Sequence, residues 1–316
     1  MKQLQTFLIL WIALALGACN NDDGGSSVEA EPPRPMAEVA AENDAEIQEY
    51  LETHFYNYEE FENPPEGFDF QIRFDTIAGE NADKLPLRGQ VMEENVLVSS
   101  SAFADLPEEN DVSHTVYYLS ARDGSGMMPT FADSTFIRIE GQLLDGTVFQ
   151  NRSISPTWYD LGFQALIEGF VLGARKVKGG ETIVENPDGT FQVQGYGIGA
   201  IFFPSGLGYF NLIQGSIPAY SPLSFKFDTF AVNDDTDHDG DGIPSFMEDL
   251  DMDEDLINDD TDEDNIPNAV DTDDDGDGVL TTDEIEIDMD GNITFPDTDG
   301  DGTVDYLDSD SSPPTS

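Results

Sequence analysis

The sequence predicts an α+β chain: antiparallel strands around one short helix, followed by an acidic repeat array of low regular structure. Three observations lead there. Across residues 113–232, short runs of alternating apolar and polar residues are separated by Gly-containing turns. Among them stands one amphipathic stretch, residues 164–174, with Leu166, Ile167 and Phe170 on one side. The third observation is the spread of charge. Of a net −54, residues 231–316 carry 32 acids and no Lys or Arg, residues 113–232 are net −3, and the first 112 residues are net −19. Hydrophobic residues at 38% with 10% aromatics suffice for a core, which excludes wholesale disorder. The acidity argues against nucleic acid or an anionic membrane surface as partner, since both demand Lys/Arg patches, and favours cations or plain solubility.

At the N-terminus, Lys2 precedes an apolar run at 7–16 that is too short to span a bilayer and right for a signal peptide. It ends in Leu16-Gly17-Ala18-Cys19, which resembles the lipobox of bacterial lipoproteins. Residues 1–19 are therefore expected to be a lipoprotein signal, with Cys19 the lipidated residue. It is the single cysteine, so no intramolecular disulfide is possible. Residues 20–43, with Asn20-Asn21-Asp22-Asp23-Gly24-Gly25-Ser26 and Pro32-Pro33-Arg34-Pro35, read as a tether with a stiffer Pro segment. The expected location is the bacterial cell envelope, lipid-anchored at the outer membrane and facing either the periplasm or the surface, with the anchor as the only membrane contact.

Residues 44–112 form an accessory region. Asn43 or Asp44 can cap a helix in which Ile47, Tyr50, Leu51, His54 and Phe55 recur at helical spacing, with His54 a packed histidine. Phe70-Gln71-Ile72-Arg73-Phe74 is strand-like, and no chemical motif stands in 56–112. In 113–232 the strands expected are Val116 to Leu119, Phe136 to Gly141, the pair flanking Asp145-Gly146, the pair flanking Pro187-Asp188-Gly189, and Leu223 to Phe230.

This segment resembles an FKBP-type peptidyl-prolyl isomerase domain. The resemblance is carried by Asp123-Gly124-Ser125-Gly126, Gly141-x-x-x-Asp145-Gly146-x-x-Phe149, Leu166-Ile167-Glu168-Gly169-Phe170, Val177-x-x-Gly180-Glu181, Phe203-Pro204-Ser205-Gly206-Leu207-Gly208-Tyr209, Ile217-Pro218 and Leu223-x-Phe225-x-Phe227, in family order. It implies a curved antiparallel sheet wrapped on the helix, with an apolar groove for a substrate proline. The matched groove positions are Phe149, Leu166, Ile167, Phe170, Tyr209, Ile217 and Phe225, with Trp158 or Tyr159 as a further wall. Tyr209 is implied to donate its hydroxyl to a substrate carbonyl. Proline-containing peptides or proteins are the implied substrates, and no cofactor is needed for catalysis. Four positions depart from the family pattern. Ile139 stands where a groove tyrosine is usual, Gln150 where an acid is usual, Phe170 where the floor is tryptophan, and Phe210 where glycine follows the tyrosine. Residues 185–200 look like an inserted hairpin. The alternative to catalysis is a chaperone-like or docking module using the same groove.

In residues 233–310 acids recur at alternate positions. Oxygen donors at positions 1, 3 and 5, a turn at 6 and a carboxylate at 12 form the frame that wraps Ca²⁺. Asp237, Asp239, Asp241 and Glu248 fit it around Gly242, and Asp273, Asp275, Asp277 and Glu284 around Gly278. Asp260, Asp262, Asp264, Asn268 and Asp271, and likewise Asp297, Asp299, Asp301, Asp305 and Asp308, fit a related frame. Asp251, Asp253 and Asp255 offer a fifth. The array is similar to thrombospondin type 3 repeats, its Gly242 and Gly278 loops to EF-hands, and its Ca²⁺ is expected to be structural. Residues 311–316 are a tail. If the lipobox is real, Cys19→Ser leaves the protein unanchored; membrane fractionation that the substitution does not change would exclude it.

Overall fold

A computed structural model of the chain describes residues 32–103, 106, 111–152, 155–185 and 191–310. The signal segment, Cys19, the first half of the tether, the turn at 187–189 and the tail 311–316 lie outside the described residues. In chain order the elements are α1 (Met36–Thr53), β1 (His54–Tyr56), α2 (Tyr58–Glu62), β2 (Phe74–Thr76), β3 (Met92–Val98), β4 (Val112–Arg122) and β5 (Ser134–Leu143). There follow β6 (Val148–Gln150), β7 (Thr157–Asp160), α3 (Glu168–Ala174), β8 (Thr182–Glu185), β9 (Phe191–Gln194), β10 (Gly197–Phe203) and β11 (Leu223–Asn233). The acidic array adds α4 (Thr281–Glu284) and the ribbon β12 (Glu286–Ile287) and β13 (Ile293–Thr294). The fold is mixed, with an antiparallel sheet and few helices. None of the described helices is long and apolar enough to cross a bilayer.

The main sheet runs β3-β4-β10-β11-β5-β6, every neighbour antiparallel, with β7 pairing the first half of β5. Both central strands are buried on both faces: all of β10, and Leu223 to Thr229 of β11. On one face α3 lies against Phe203, Phe225 and Phe227. It can lie close because Gly173 faces the sheet; a Cβ there would strike Phe227 and Ile201. The helix begins at Glu168, not at 164. Ile167 is extended at ψ 142°, and its carbonyl accepts from the N–H groups of Phe170 and Val171. Leu166 and Ile167 thus sit on the approach to the helix. The inserted hairpin is β8–β9, paired from Thr182 to Gln194, and residues 197–200 belong to the central strand.

The other face is covered by α1, which corrects two boundaries. The helix starts at Met36, inside the expected tether, and Asn43 and Asp44 lie in its interior. Its buried stripe is Met36, Val39, Ala40, Asn43, Ile47, Tyr50 and Leu51, spaced for an α-helix. Arg34, just before it, pairs with Glu38 and Glu42 at 2.6 and 2.7 Å. Ile47, Tyr50 and Leu51 pack on Tyr117, Leu119, Ile198, Ala200 and Phe202, the outward set of β4 and β10. His54 leaves the helix and stacks on Tyr50 at 3.9 Å. Phe70 has φ 52° and stands outside any strand, so the strand-like run shrinks to Phe74–Thr76. Strand β3 comes from the accessory region yet edges the main sheet. A division at residue 113 would cut that sheet.

The same face of β5 and β11 carries a set of ions. Lys226 meets Glu140 at 2.6 Å, both about nine-tenths buried, and Asp228 accepts from Arg138 and Arg152 at 2.7 and 2.6 Å. The Lys226 ammonium also stands 4.8 Å from the Phe74 ring centroid. Burial pushes the Lys226 pKa down and that of Asp228 up, against their partners. The acidic array is seated on the same body. Leu256 is buried with Ala132 and Ala269, Glu254 takes both guanidinium nitrogens of Arg175 at 2.5 and 2.7 Å, and Asp133 accepts from the Thr236 N–H. Removing one buried partner leaves the other unpaired in low dielectric. Glu140→Gln is expected to cost about 3–5 kcal/mol in urea denaturation, whereas Glu140→Leu with Lys226→Met recovers most of it.

Candidate functional site

The seven residues expected to line a groove come together from five separate stretches of chain into one apolar cluster. Phe170, Ile217 and Phe225 form its floor, each at most 5% exposed, while Phe149, Leu166, Ile167 and Tyr209 are half-buried around it. The Phe225 ring stands edge-on to Phe149 at 5.4 Å and to Phe170 at 5.6 Å. Phe149 can lie over the sheet because Gly141, facing Phe225 in the ladder, has no Cβ; one built there would run into both rings. Of the two wall candidates Tyr159 packs in the cluster, 5.1 Å from Phe170, whereas Trp158 is half exposed and packs on Phe136. Ile139 is half-buried in the same cluster, and Gln150 is held by its backbone opposite Gly141. The charged residues of these strands, Arg138, Glu140, Lys226 and Asp228, alternate onto the opposite face.

Tyr209 and Ile217 border a loop whose tip, Leu212 and Ile213, is exposed. Its base is tied down by a residue the sequence marks only as an Asn on an apolar helix stripe. Asn43, 3% exposed, accepts from the Ser205 N–H at 2.8 Å and donates to the Tyr220 carbonyl at 2.9 Å. Phe210 stands at φ 44°, a left-handed conformation that glycine adopts freely and an L-residue holds at a cost of about 1–2 kcal/mol. Its ring offsets this by packing 5.1 and 5.2 Å from Phe103 and Tyr220.

The acidic array is built from five loops of one geometry, beginning at Asp237, Asp249, Asp260, Asp273 and Asp297. In each, the N–H at position 6 donates to the carboxylate at position 1, at 2.9 to 3.1 Å. The N–H at position 5 donates to position 3, and that at position 7 to position 5. Positions 4 and 6 both take positive φ: Gly240 and Gly242, Met252 and Glu254, Glu263 and Asn265, Gly276 and Gly278, Gly300 and Gly302. The fifth frame therefore starts at Asp249, not Asp251, with Asp249, Asp251 and Asp253 as its donors. The missing glycines hid it.

Carboxylate oxygens gather within 4.8 Å of one another in five groups: Asp239, Asp241, Glu248 with Asp274; Asp249, Asp251, Asp253; Asp260, Asp262, Asp264; Asp273, Asp275, Asp277; and Asp297, Asp299, Asp301. Two expected ligands are otherwise engaged. Asn268 accepts from the Thr261 N–H and donates to Thr261 Oγ1, and Asp305 binds the Thr298 N–H and hydroxyl. Ser245 and Thr281 hold the same ninth position in their loops and clasp position 2 likewise. Burial first, then neighbouring carboxylates, push Glu248 up to about 10, Glu284 and Asp274 to about 8, Asp239 to about 7 and Asp241 to about 6. Acids held in this way lack a counter-charge. A divalent cation fits them: hard carboxylate oxygens at converging positions, several buried with no hydrogen-bond partner, among them both of Glu248.

The BamM C-terminal family model matches residues 238–295, within this array. No curated protein matches the chain. Among solved structures, a peptidyl-prolyl cis-trans isomerase from Pseudomonas syringae is similar at 22% identity over 37% of this chain and 74% of that one, with a TM-score of 0.30. FkpA from Escherichia coli is similar at 20% over 62% of this chain and 61% of its own, with a TM-score of 0.33. A multi-domain immunophilin from Arabidopsis thaliana is similar at 14% over 37% and 42%, with a TM-score of 0.30.

Asn43→Ala strands a buried N–H and a carbonyl at the base of the 209–217 loop. It is expected to cost about 1–3 kcal/mol and to raise amide exchange in 209–217 more than in β10.

Proposed function

We propose that this chain is an FKBP-type peptidyl-prolyl cis-trans isomerase, lipid-anchored in the bacterial envelope through Cys19, with a Ca²⁺-stiffened acidic stalk. The observation that carries the isomerase reading is the convergence of Phe149, Leu166, Ile167, Phe170, Tyr209, Ile217 and Phe225 on one apolar site, with the ions of the same strands turned to the other face. Rotation about an X–Pro bond meets a barrier of about 18–20 kcal/mol because amide resonance is lost at the twisted midpoint. The twisted amide has less charge separation than the planar one, so a groove of rings and aliphatic side chains favours it. Phe170 and Phe225 would receive the prolyl ring, Phe149 and Tyr159 would flank it, and the Tyr209 hydroxyl would bind a substrate carbonyl. Proline-containing segments of unfolded proteins are the substrates this groove suits, and Ca²⁺ in the five loops would be structural.

A second reading has its own observation. Ile139 keeps the groove wall apolar but lacks a hydroxyl, and Gln150 lacks a charge, so the same site would hold Pro-containing segments with little turnover.

An isomerisation assay with X–Pro peptides on the chain separates the two. The expected result is weak but measurable catalysis, lowered several-fold by Tyr209→Phe and raised by Ile139→Tyr combined with Gln150→Asp. Peptide binding with no catalysis above background would transfer the assignment to the binding module. For the stalk, small-angle scattering is expected to show compaction of residues 233–310 at millimolar Ca²⁺ and expansion in chelator, because 32 acids without a base repel one another. Identical profiles would exclude the calcium reading.

A further inference from the structure

The loop of residues 237–248 is not completed by its own side chains. Its Asp239, Asp241 and Glu248 meet a fourth carboxylate, Asp274, from the loop that begins 36 residues later at Asp273. Asp274 occupies the second position of that later loop and stands apart from its cluster of Asp273, Asp275 and Asp277. The equivalent positions elsewhere hold His238, Leu250, Thr261 and Thr298, so an acid here is peculiar to this loop. Its backbone N–H is taken by Thr281 Oγ1 at 3.3 Å, while its carboxylate lies 2% exposed with neither oxygen bonded. Glu248 is fully buried with both oxygens likewise unpartnered, and Asp239 and Asp241 each leave one buried oxygen free.

We infer that Asp274 is a ligand of the cation held by residues 237–248, so that one divalent ion joins two loops. The inference rests on the calcium reading of the array. One carboxylate oxygen from each of these four residues lies within 4.8 Å of the others, and six of their eight oxygens are buried without a hydrogen-bond partner. Ca²⁺ takes six to eight oxygens in flexible geometry, and four carboxylates, any of which can bind through both oxygens, suit it, whereas Mg²⁺ keeps several waters that a buried site cannot supply. Three of the four residues are at least nine-tenths buried, unlike the exposed trio Asp297, Asp299 and Asp301. Affinity rises with the number of charged ligands and with rigidity, so this two-loop site is the tightest in the array and fills first. The apolar side of the same junction is already closed: Ile243, just after the turn of the first loop, packs with Ile285 and Tyr306. Ion and core therefore clamp residues 237–248 and 273–284 as one unit.

The test is calorimetric titration of the full chain with Ca²⁺, comparing wild type, Asp274→Asn, Asp274→Glu and Glu286→Gln, the last an exposed acid of the same array. Asp274→Asn is expected to weaken the tightest step roughly tenfold or more, Asp274→Glu to restore part of it, and Glu286→Gln to change nothing. A site confined to one loop would leave Asp274→Asn like wild type, which overturns the inference. A wild-type chain that takes up no Ca²⁺ overturns the calcium reading itself, and with it this inference; that outcome needs no variant to see. Amide exchange guards against a variant that misfolds. In wild type, residues 237–248 and 273–284 gain protection at the same Ca²⁺ concentration, and protection at two well-separated concentrations counts against the shared ion.

Discussion

A strand buried on both faces must place its charges as carefully as its rings, and β11 does so by alternation. Leu223, Phe225 and Phe227 point to α3, while Ser224, Lys226 and Asp228 point to the opposite face. The rings join Phe170 and Phe203 in the apolar cluster of the proposed groove. The ions become a liability that the rest of the chain has to cover. Glu140 and the two arginines of residues 138 and 152 neutralise them, and the Phe74 ring lies against the Lys226 ammonium. Such a network contributes little net stability, since desolvation consumes most of the Coulomb attraction, but losing one member is costly. In the register of β5 on β11 Glu140 stands opposite Lys226 and Arg138 opposite Asp228, and the same register sets Gly141 under Phe149 opposite Phe225.

The groove is also the place where the N-terminal region and the sheet meet. The loop carrying Tyr209 and Ile217 has a positive-φ phenylalanine at its start and a positive-φ tyrosine, Tyr220, at its end. Neither conformation is favourable alone. Both are held by burial of Phe210 against Tyr220 and by the two hydrogen bonds of Asn43 from α1. The N-terminal helix thus supports the loop that carries Tyr209 and Ile217, while β3 of the same region edges the main sheet.

The acidic array obeys a different constraint. Its cores are small: Ile243, Ile285 and Tyr306 in one place, Leu256 and Ala269 with Ala132 in another. They cannot by themselves offset the burial of carboxylates such as Glu248 and Asp274, because unpaired buried charges cost several kcal/mol each against a stability of only about 5–15 kcal/mol for a whole domain. Bound cations would reverse the sign of that account, turning the acids from a cost into the main source of order. Arg175 with Glu254, and Leu256 beneath Phe131 and Phe163, join this array to the helix that floors the groove.

Much of this was legible in the sequence, for identifiable reasons. Alternation in Phe136 to Gly141 and in Leu223 to Phe230 determined which side chains share a face, because side-chain direction in a strand has period two. The spacing Asp-x-Asp-x-Asp determined the loops, because local hydrogen bonds from positions 5, 6 and 7 need nothing from elsewhere in the chain. Where those local rules are disguised the spacing misleads: Met252 and Glu254 occupy positive-φ positions usually given to glycine, and the fifth loop begins two residues before the frame that spacing alone suggests. Asn268 and Asp305 carry oxygens of the right kind at the right spacing, yet only their contacts reveal that they clasp the backbone. The tertiary structure alone decided what long-range packing determines. It started α1 at Met36, packed Tyr159 rather than Trp158 against Phe170, set Asn43 beneath a loop some 160 residues away, and brought Asp274 to the carboxylates of another loop. Short-range stereochemistry is written in neighbouring residues; which distant groups meet depends on the burial of the whole chain.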